Sequence, residues 1–237
     1  MRKEVITHQD PKSPISEIFK TLRTNIQFMS TKGKLKTILV TSTLPGEGKS
    51  WVSSNLAVTF AQAGKRVVLI DADMRKGRQY TIFGVSPRPG LSNYLSGIID
   101  NEEASDDLTN YIQETEIDNL YLISAGNIPP NPSELLIAPQ MVNLLEQLKD
   151  MCDVIIIDGT PSQLVTDSLI LTRLVDSTII VTANKQTKKE DLKYQCQLKN
   201  MNKVIIMVQH QLGIQKLPKE LKPKEMKNQY IIEHRIY

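Results

Sequence analysis

The 237-residue sequence has few cysteines, a small net charge and no long apolar run. Its two cysteines, Cys152 and Cys196, are far apart and lack metal-ligand spacing, which argues against a disulfide framework or a zinc site. No apolar segment reaches the roughly 18 residues that cross a bilayer, and none follows the N-terminus as in a secretory signal. A formal net charge of +3 is too small to favour nucleic-acid binding. We therefore expect a soluble, cytoplasmic protein with no nucleic-acid partner.

The most informative segment runs from Thr41 to Ser50 and reads Thr-Ser-Thr-Leu-Pro-Gly-Glu-Gly-Lys-Ser. An apolar, strand-like run precedes it and a helix-like run follows it, which is the layout of a phosphate-binding P-loop. Glycines let the backbone curl with its N–H groups inward, Lys49 would reach the β- and γ-phosphates, and Ser50 would bind Mg²⁺. Thr43 stands where the full pattern has its first glycine, and an ordinary glycine turn before a helix is the alternative. The residues that we predict to bind MgATP here are Pro45, Gly46, Glu47, Gly48, Lys49, Ser50 and Trp51.

Strand-like and helix-like segments alternate along the chain. The predicted strands are 36–41, 66–70, 120–124, 154–157, 178–182 and 204–208, and the longer predicted helices are 13–29, 51–63, 102–113, 134–149, 168–175 and 188–200. The strands are continuous apolar runs, which is typical of a parallel sheet that is covered on both faces. The sequence therefore predicts an α/β fold: a mostly parallel central sheet with helices on both faces, in a P-loop NTPase-like three-layer sandwich.

Three aspartates follow predicted strands. Asp71 and Asp73 come after the strand at 66–70, and Asp158 comes after the strand at 154–157. Ligands of such sheets bind beyond the carboxyl ends of the strands, where the P-loop also lies. Carboxylates commonly hold Mg²⁺ through water, so we expect a metal–nucleotide site, although helix caps or solvated turns would also explain these residues. Arg75 can pair with a carboxylate or a phosphate.

Four motifs together resemble the bacterial P-loop tyrosine kinases of capsule and exopolysaccharide synthesis: LPGEGKS, VVLIDADMRK, NIPPNPSELL and IIIDGTPSQLVTD. The resemblance spans about residues 11–185 and points to the stand-alone cytoplasmic type of Gram-positive bacteria. It implies that Lys49 and Ser50 bind phosphates and Mg²⁺, and that Asp71 and Asp158 position the metal and its waters. It further implies that Asp73 orients or deprotonates the acceptor phenol, with Lys49 and Asp71 as the other catalytic residues.

The resemblance also implies partners. Glu17, Lys20 and Arg23 occupy the positions of a Glu-x-x-Arg-x-x-Arg motif that assembles such kinases into rings; the lysine loses the planar fork of arginine and would weaken the ring. A plain solvated helix face is the alternative. The family implies recruitment to the inner face of the membrane by a transmembrane polysaccharide co-polymerase or adaptor, and a cognate tyrosine phosphatase.

The sequence departs from the family pattern near its C-terminus and after Asp158. Only Tyr230 and Tyr237 are available as phosphoacceptors in the basic tail, which we expect to be flexible. Gly159 stands where the family has threonine, and it is expected to loosen the backbone. The predicted organisation is a leader and assembly helix at 1–30, of which residues 1–12 are expected to be flexible, a P-loop kinase domain at 31–212 and a tail at 213–237.

Two other functions stay open at this point. A switch ATPase of the partitioning and division-site type would share the fold, but it usually has a second lysine where this chain has Leu44. A nucleotide-binding assembly module without kinase activity would fit the small number of tail tyrosines.

Overall fold

The computed structural model describes residues 5–29, 35–99, 102–103, 107–163, 166–183, 204–211 and 229–236. In chain order the strands are β1 (Thr37–Ser42), β2 (Val67–Asp71), β3 (Ile98–Ile99), β4 (Glu102–Glu103), β5 (Gln113–Glu114), β6 (Leu120–Ile123), β7 (Val154–Pro161), β8 (Ser177–Ala183), β9 (Val204–Gln211) and β10 (Gln229–Ile236). The helices are α1 (Ile6–Gln9), α2 (Pro14–Met29), α3 (Lys49–Ala61), α4 (Gln79–Phe83), α5 (Leu91–Ser96), α6 (Pro132–Ile137), α7 (Pro139–Met151) and α8 (Asp167–Leu171), with a 3₁₀ turn at Leu108–Tyr111.

Across the described ranges, eight strands form one sheet in the order β10-β9-β8-β1-β7-β2-β6-β5. Neighbouring strands are parallel, except that β5 runs antiparallel to β6. The predicted mostly parallel sheet is confirmed. Because β1 lies inside the sheet, between β7 and β8, the P-loop that follows it opens at the middle of the sheet's carboxyl edge.

Apolar side chains on the two faces of the sheet belong to two separate cores. Ile38 and Val40 of β1 pack in the core that contains α2 and α3. Leu39, between them, packs in the core that contains α7 and α8, because successive side chains of a strand point to opposite faces. Helices therefore cover both faces, and the predicted three-layer sandwich is confirmed.

Two predicted helices differ from the structure. The predicted helix at 134–149 is two helices, because Ala138 precedes Pro139 and adopts an extended ψ of 149°. The predicted helix at 102–113 is wrong: this stretch contributes β4, the 3₁₀ turn and the start of β5, with the Asp107 carboxylate accepting the backbone N–H of Thr109. The predicted helix at 188–200 lies outside the described residues. Within the described part of the chain, every helix is too short or too polar to span a bilayer.

Helix α1 is part of the fold. The predicted flexible leader is corrected for α1, because Thr7 is buried and donates its backbone N–H to Asn55 Oδ1 of α3 at 3.0 Å. Gln62 in turn donates its side-chain amide to the Thr7 carbonyl oxygen at 2.9 Å. The segment before α2 is therefore anchored to the helix that follows the P-loop.

The C-terminal tail also differs from the expectation of flexibility. Residues 229–236 form β10, which pairs in parallel with β9, and Tyr230 lies level with Ile205. This segment is rich in β-branched and aromatic residues, which favour strands, and β9 would otherwise leave its backbone groups unpaired. Residues 213–228 and Tyr237 lie outside the described residues.

Strand β7 continues past the predicted end at Asp158. Val40 pairs with Asp158 but Ser42 pairs with Pro161, so β7 has one extra residue against β1. Such bulges re-aim side chains beside functional sites. Gly159 lies within this stretch and is closely packed, which corrects the expectation that it loosens the backbone: a Cβ there would lie 2.6 Å from Ser168 Oγ and 2.9 Å from Leu39 Cδ1.

Replacing Gly159 by alanine is expected to lower the free energy of unfolding by about 1–3 kcal/mol, the usual cost of overpacking. Ser168 cannot easily move away, since its hydroxyl donates to the Thr160 carbonyl oxygen at 2.6 Å. Urea unfolding measures the loss. The same substitution in a Ser168→Ala background should cost less, and an equal loss in both backgrounds would show that Ser168 is not the obstacle.

Candidate active site

The segment between β1 and α3 curls around a cavity at the carboxyl edge of the sheet. Gly46 and Gly48 have φ angles of 81° and 87°, in the left-handed region that glycine adopts most readily. The cavity has a volume of about 500 Å³. On this side it is lined by Pro45, Gly46, Gly48, Lys49, Ser50 and Trp51. Six of the seven residues predicted to bind nucleotide therefore surround one cavity.

Glu47, the seventh, has a different place. Its carboxylate is buried and accepts the backbone N–H of Leu44 at 2.7 Å and that of Ala183, at the end of β8, at 3.2 Å. The Glu47 side chain therefore braces the loop against the sheet, and the part of this residue in nucleotide binding stays a prediction.

The three predicted acids meet beside this loop. Lys49 Nζ lies 2.9 Å from Asp73 Oδ2 and 3.7 Å from Asp158 Oδ1. Asp71 and Asp158 are register partners on the adjacent strands β2 and β7. Burial lowers the pKa of Lys49, but the charges of Asp158, Asp73 and Asp71 and the hydrogen bond to Asp73 outweigh burial and raise it. Lys49 is therefore held as a cation among carboxylates.

Asp71 is fully buried. Its Oδ2 accepts the backbone N–H groups of Arg78 at 2.8 Å and Gln79 at 2.9 Å. Burial, with the nearby charge of Asp158, raises the pKa of Asp71 to about 7, despite the opposing effects of the Gln79 hydrogen bond and Lys49. The hydrogen bond and the Lys49 charge thus do not compensate the Asp71 carboxylate for its burial beside Asp158.

The raised pKa of Asp71 predicts a pH dependence of stability. Asp71 keeps its proton up to about pH 7 in the folded protein but loses it near pH 4 in the unfolded chain. The contribution of Asp71 to the free energy of unfolding therefore falls as pH rises from about 4 to about 7, by at most about 1.4 kcal/mol per pH unit. Asp71→Asn should flatten that slope and raise the unfolding free energy at pH 8. Urea unfolding across this range, with Asp118→Asn as the exposed control, measures it; parallel curves for wild type and Asp71→Asn would contradict the assignment.

Gln79, at the start of α4, is a residue that the sequence analysis missed. It is fully buried, and its side-chain amide donates to Asp158 Oδ2 at 2.7 Å. The same nitrogen lies 3.1 Å from the Ser50 carbonyl oxygen, at the start of α3. A lone glutamine six residues after Asp73 carries no sequence signal for such contacts.

Arg75 pairs with a carboxylate, one of its two predicted partners. Its Nε donates to Asp167 Oδ2 at 3.1 Å, and Asp167 is buried and also bonds the Ser133 hydroxyl. This chain of contacts joins three of the four motifs, those that contain Arg75, Ser133 and Asp167. The sequence motifs include Asp167 and Ser133, but nothing in their spacing identifies them as partners.

Trp51 lines the cavity and also packs against the core beside α2. Its ring meets Phe19 of α2 edge to face, with ring centroids 5.2 Å apart. Since it is the only tryptophan, its fluorescence would report on this cavity alone.

The structure brings together two of the three residues predicted for assembly. Lys20 Nζ lies 2.7 Å from Glu17 Oε1 and also donates to the Pro11 carbonyl oxygen. Arg23 instead donates to the Thr59 carbonyl oxygen of α3 at 3.0 Å. The three side chains therefore do not form one exposed face, because Arg23 faces the chain's own core; their role in assembly stays a prediction.

Ser50, Asp71 and Asp158 have the chemistry of a magnesium site. Asp158 Oδ1 is buried without a hydrogen-bond partner, Asp73 and Asp158 lie near the Lys49 ammonium, and Asp71 is the register partner of Asp158, so a divalent cation would balance the charge of these carboxylates. Among the described residues, no group of three or more His, Cys, Asp or Glu could hold a metal alone. In P-loop sites, however, phosphate oxygens and water complete the shell. The residues present fit Mg²⁺ bound together with a nucleotide.

Comparisons with known proteins agree with this geometry. A family model described as an AAA domain matches residues 35–214. The putative tyrosine-protein kinase CapB of Staphylococcus aureus is 39% identical over 186 residues, 78% of each chain. The tyrosine-protein kinase YwqD of Bacillus subtilis is 39% identical over 190 residues, 80% of this chain and 77% of the relative. The chain belongs to the bacterial tyrosine-protein kinase family. Among solved structures, the chimerical protein CapA2B2 is 34% identical to this chain and superposes on it with a TM-score of 0.77. The match covers 87% of this chain and 90% of the CapA2B2 chain.

Membership of the kinase family decides against the switch ATPase. The septum site-determining protein MinD of Pyrococcus horikoshii, solved with Mg-ADP, has a TM-score of 0.61 but is only 22% identical, which shows a common fold and no more. Leu44, in place of the early lysine of that class, agrees with this distinction.

Proposed function

We propose that this chain transfers the γ-phosphoryl group of ATP to tyrosine hydroxyls, as a protein-tyrosine kinase that also phosphorylates itself. The observation that carries the proposal is that Lys49 and Asp73 meet in the lining of a glycine-lined cavity, with Asp158 Oδ1 3.7 Å from the same Lys49 ammonium. Membership of the tyrosine-protein kinase family favours tyrosine as the acceptor.

Each residue has a distinct part in the proposed reaction. Backbone N–H groups of the loop and the Lys49 ammonium bind the phosphates, and the cation opposes the charge that develops during transfer. Ser50, Asp71 and Asp158 hold Mg²⁺, directly or through water. Magnesium, when bound there, would neutralise the charge of the phosphates. Trp51 and Pro45 border the rest of the nucleotide cavity.

Asp73 is placed to handle the acceptor proton. Its carboxylate borders the cavity and is nearly buried, with Oδ1 accepting the Lys76 backbone N–H at 3.0 Å and Oδ2 facing Lys49. The bond between the γ-phosphorus and its bridging oxygen breaks, a bond to the phenolic oxygen forms, the phenolic proton passes to Asp73, and ADP leaves. A carboxylate suffices as the base, because the transition state is loose and the proton leaves late.

The wider role follows the family. We propose that the kinase regulates capsular or extracellular polysaccharide synthesis and is recruited to the inner face of the cell membrane by a transmembrane adaptor. A homo-oligomeric ring that uses Glu17, Lys20 and Arg23, and a cognate tyrosine phosphatase, complete the proposed partners.

The test is incubation of the purified chain with γ-labelled MgATP, with and without candidate adaptor tails, followed by mapping of phosphorylated residues. We expect labelled tyrosine, with most of it lost when Tyr230 and Tyr237 are both changed to phenylalanine. Tyr121→Phe, a tyrosine within the sheet, is the matched control.

Two outcomes would change the proposal. Undiminished label in the double variant would place the acceptors elsewhere in the chain. Nucleotide binding without phosphotyrosine under every condition would favour the assembly module, which gains support from the position of Tyr230 within a paired strand.

A further inference from the structure

Gln79 contacts both buried carboxylates of the proposed magnesium site through different groups. Its backbone N–H donates to Asp71 Oδ2 at 2.9 Å, and its side-chain Nε2 donates to Asp158 Oδ2 at 2.7 Å. Asp71 and Asp158 are side by side on adjacent strands and would repel each other when both are ionised. A single residue between them therefore fixes their relative position.

The surroundings of the Gln79 amide leave one orientation. Nε2 is surrounded by three oxygens: the Ser50 carbonyl and the Ser53 hydroxyl, each at 3.1 Å, and Asp158 Oδ2. Exchanging nitrogen and oxygen would place the amide oxygen against a carboxylate and a carbonyl, where no hydrogen is available. The amide oxygen lies 2.7 Å from the Ser54 hydroxyl, which can donate to it. The donor therefore points at Asp158.

This bond determines which oxygen of Asp158 faces Lys49. Oδ2 is occupied by Gln79, whereas Oδ1 is buried without a hydrogen-bond partner and lies 3.7 Å from Lys49 Nζ. The same amide is bonded to α3 at Ser50, the residue that would also ligate the metal. Gln79 thus joins the loop helix, β2 and β7 at one point.

We propose that Gln79 is a positioning residue: it sets the rotation of the Asp158 carboxylate so that Oδ1 is presented to nucleotide-bound Mg²⁺. The inference rests on the proposed function for the presence of MgATP. This role of Gln79 is in metal binding, so it can be tested whether or not the chain transfers a phosphoryl group. Mutation of a residue that orients a metal-binding carboxylate typically lowers metal affinity by about 10–100-fold.

The test separates the nucleotide from the metal. The affinity for ADP is measured by titration in EDTA and again in excess Mg²⁺, with Trp51 fluorescence as the signal. The ratio of the two affinities is the gain in ADP affinity due to Mg²⁺. In Gln79→Met, which keeps length but loses the amide, this gain should fall about 10–100-fold while the affinity in EDTA changes little. Gln113→Met is the control, since Gln113 also bonds a backbone carbonyl and a serine hydroxyl but lies far from the cavity.

A double-mutant cycle identifies Asp158 as the residue through which Gln79 acts. In an Asp158→Asn background, Gln79→Met should have no further effect on the gain due to Mg²⁺. If Gln79→Met does not fold, Gln79→Asn is measured instead: its shorter side chain withdraws the amide from Asp158, so the same loss is expected.

The outcomes distinguish the inference from the proposed function. An unchanged magnesium gain in both Gln79 variants, or equal losses in EDTA and in Mg²⁺, would show a purely structural residue and overturn the inference. Failure of the wild-type chain to bind ADP with or without Mg²⁺ would instead overturn the proposed function.

Discussion

Replacing Lys49 by methionine is expected to lower phosphoryl transfer by about 10²–10³-fold, the cost of removing one preorganised charge from a transition state. Lys49 Nζ lies 2.9 Å from Asp73 Oδ2 and 3.7 Å from Asp158 Oδ1, and Lys49 stands directly after the curled loop. Methionine keeps the length and packing of the side chain and removes only its charge. Incorporation of label from γ-labelled MgATP into the chain measures the effect.

Lys65→Met is the matched control, because Lys65 is exposed and distant from the loop. It should retain full labelling. Labelling by Lys49→Met at the wild-type rate would remove Lys49 from the reaction and would place the phosphates elsewhere in the molecule.

Replacing Asp73 by asparagine is expected to reduce phosphotyrosine formation by about 10²–10⁴-fold, the range for loss of a general base. Binding of MgADP, followed by Trp51 fluorescence, should be nearly unchanged. Asparagine can still accept the Lys76 backbone N–H, so the local turn is preserved. The separation of binding from transfer is the signature of a residue that acts on the acceptor.

An equal loss of MgADP affinity and transfer in Asp73→Asn would contradict this assignment and would place Asp73 in the metal site beside Asp158. Asp118→Asn, at an exposed position, controls for the loss of one negative charge.

The loop and the three acids could be predicted because each is encoded by neighbouring residues. Two glycines, a lysine and a serine within five positions specify the curled backbone and its cation, and Asp71 and Asp73 directly follow a continuous apolar strand. The parallel sheet follows from the same continuous runs. These features need no knowledge of distant contacts.

The residues that hold the site in place could not be predicted, because their partners are remote in the sequence. Gln79 bonds Asp158 across 79 positions, and Glu47 bonds Ala183 across 136. Both are polar residues whose role exists only once the strands are assembled. Strand β10 was missed for a related reason: its partner is an edge that forms elsewhere, and the basic residues before it suggest a solvated tail.

The edge position of β10 has a consequence for kinetics. Three strand-to-strand steps separate β10 from β1, the strand that leads into the loop, so Tyr230 and β1 are roughly 14 Å apart at about 4.8 Å per step, with β9 and β8 between them. Because the side chains of a strand point above and below the sheet and not along it, a phosphoryl group held at Lys49 is out of reach of Tyr230 in the same molecule while β10 stays paired. Modification of Tyr230 then requires an encounter between two molecules, and its initial rate rises with the square of the protein concentration.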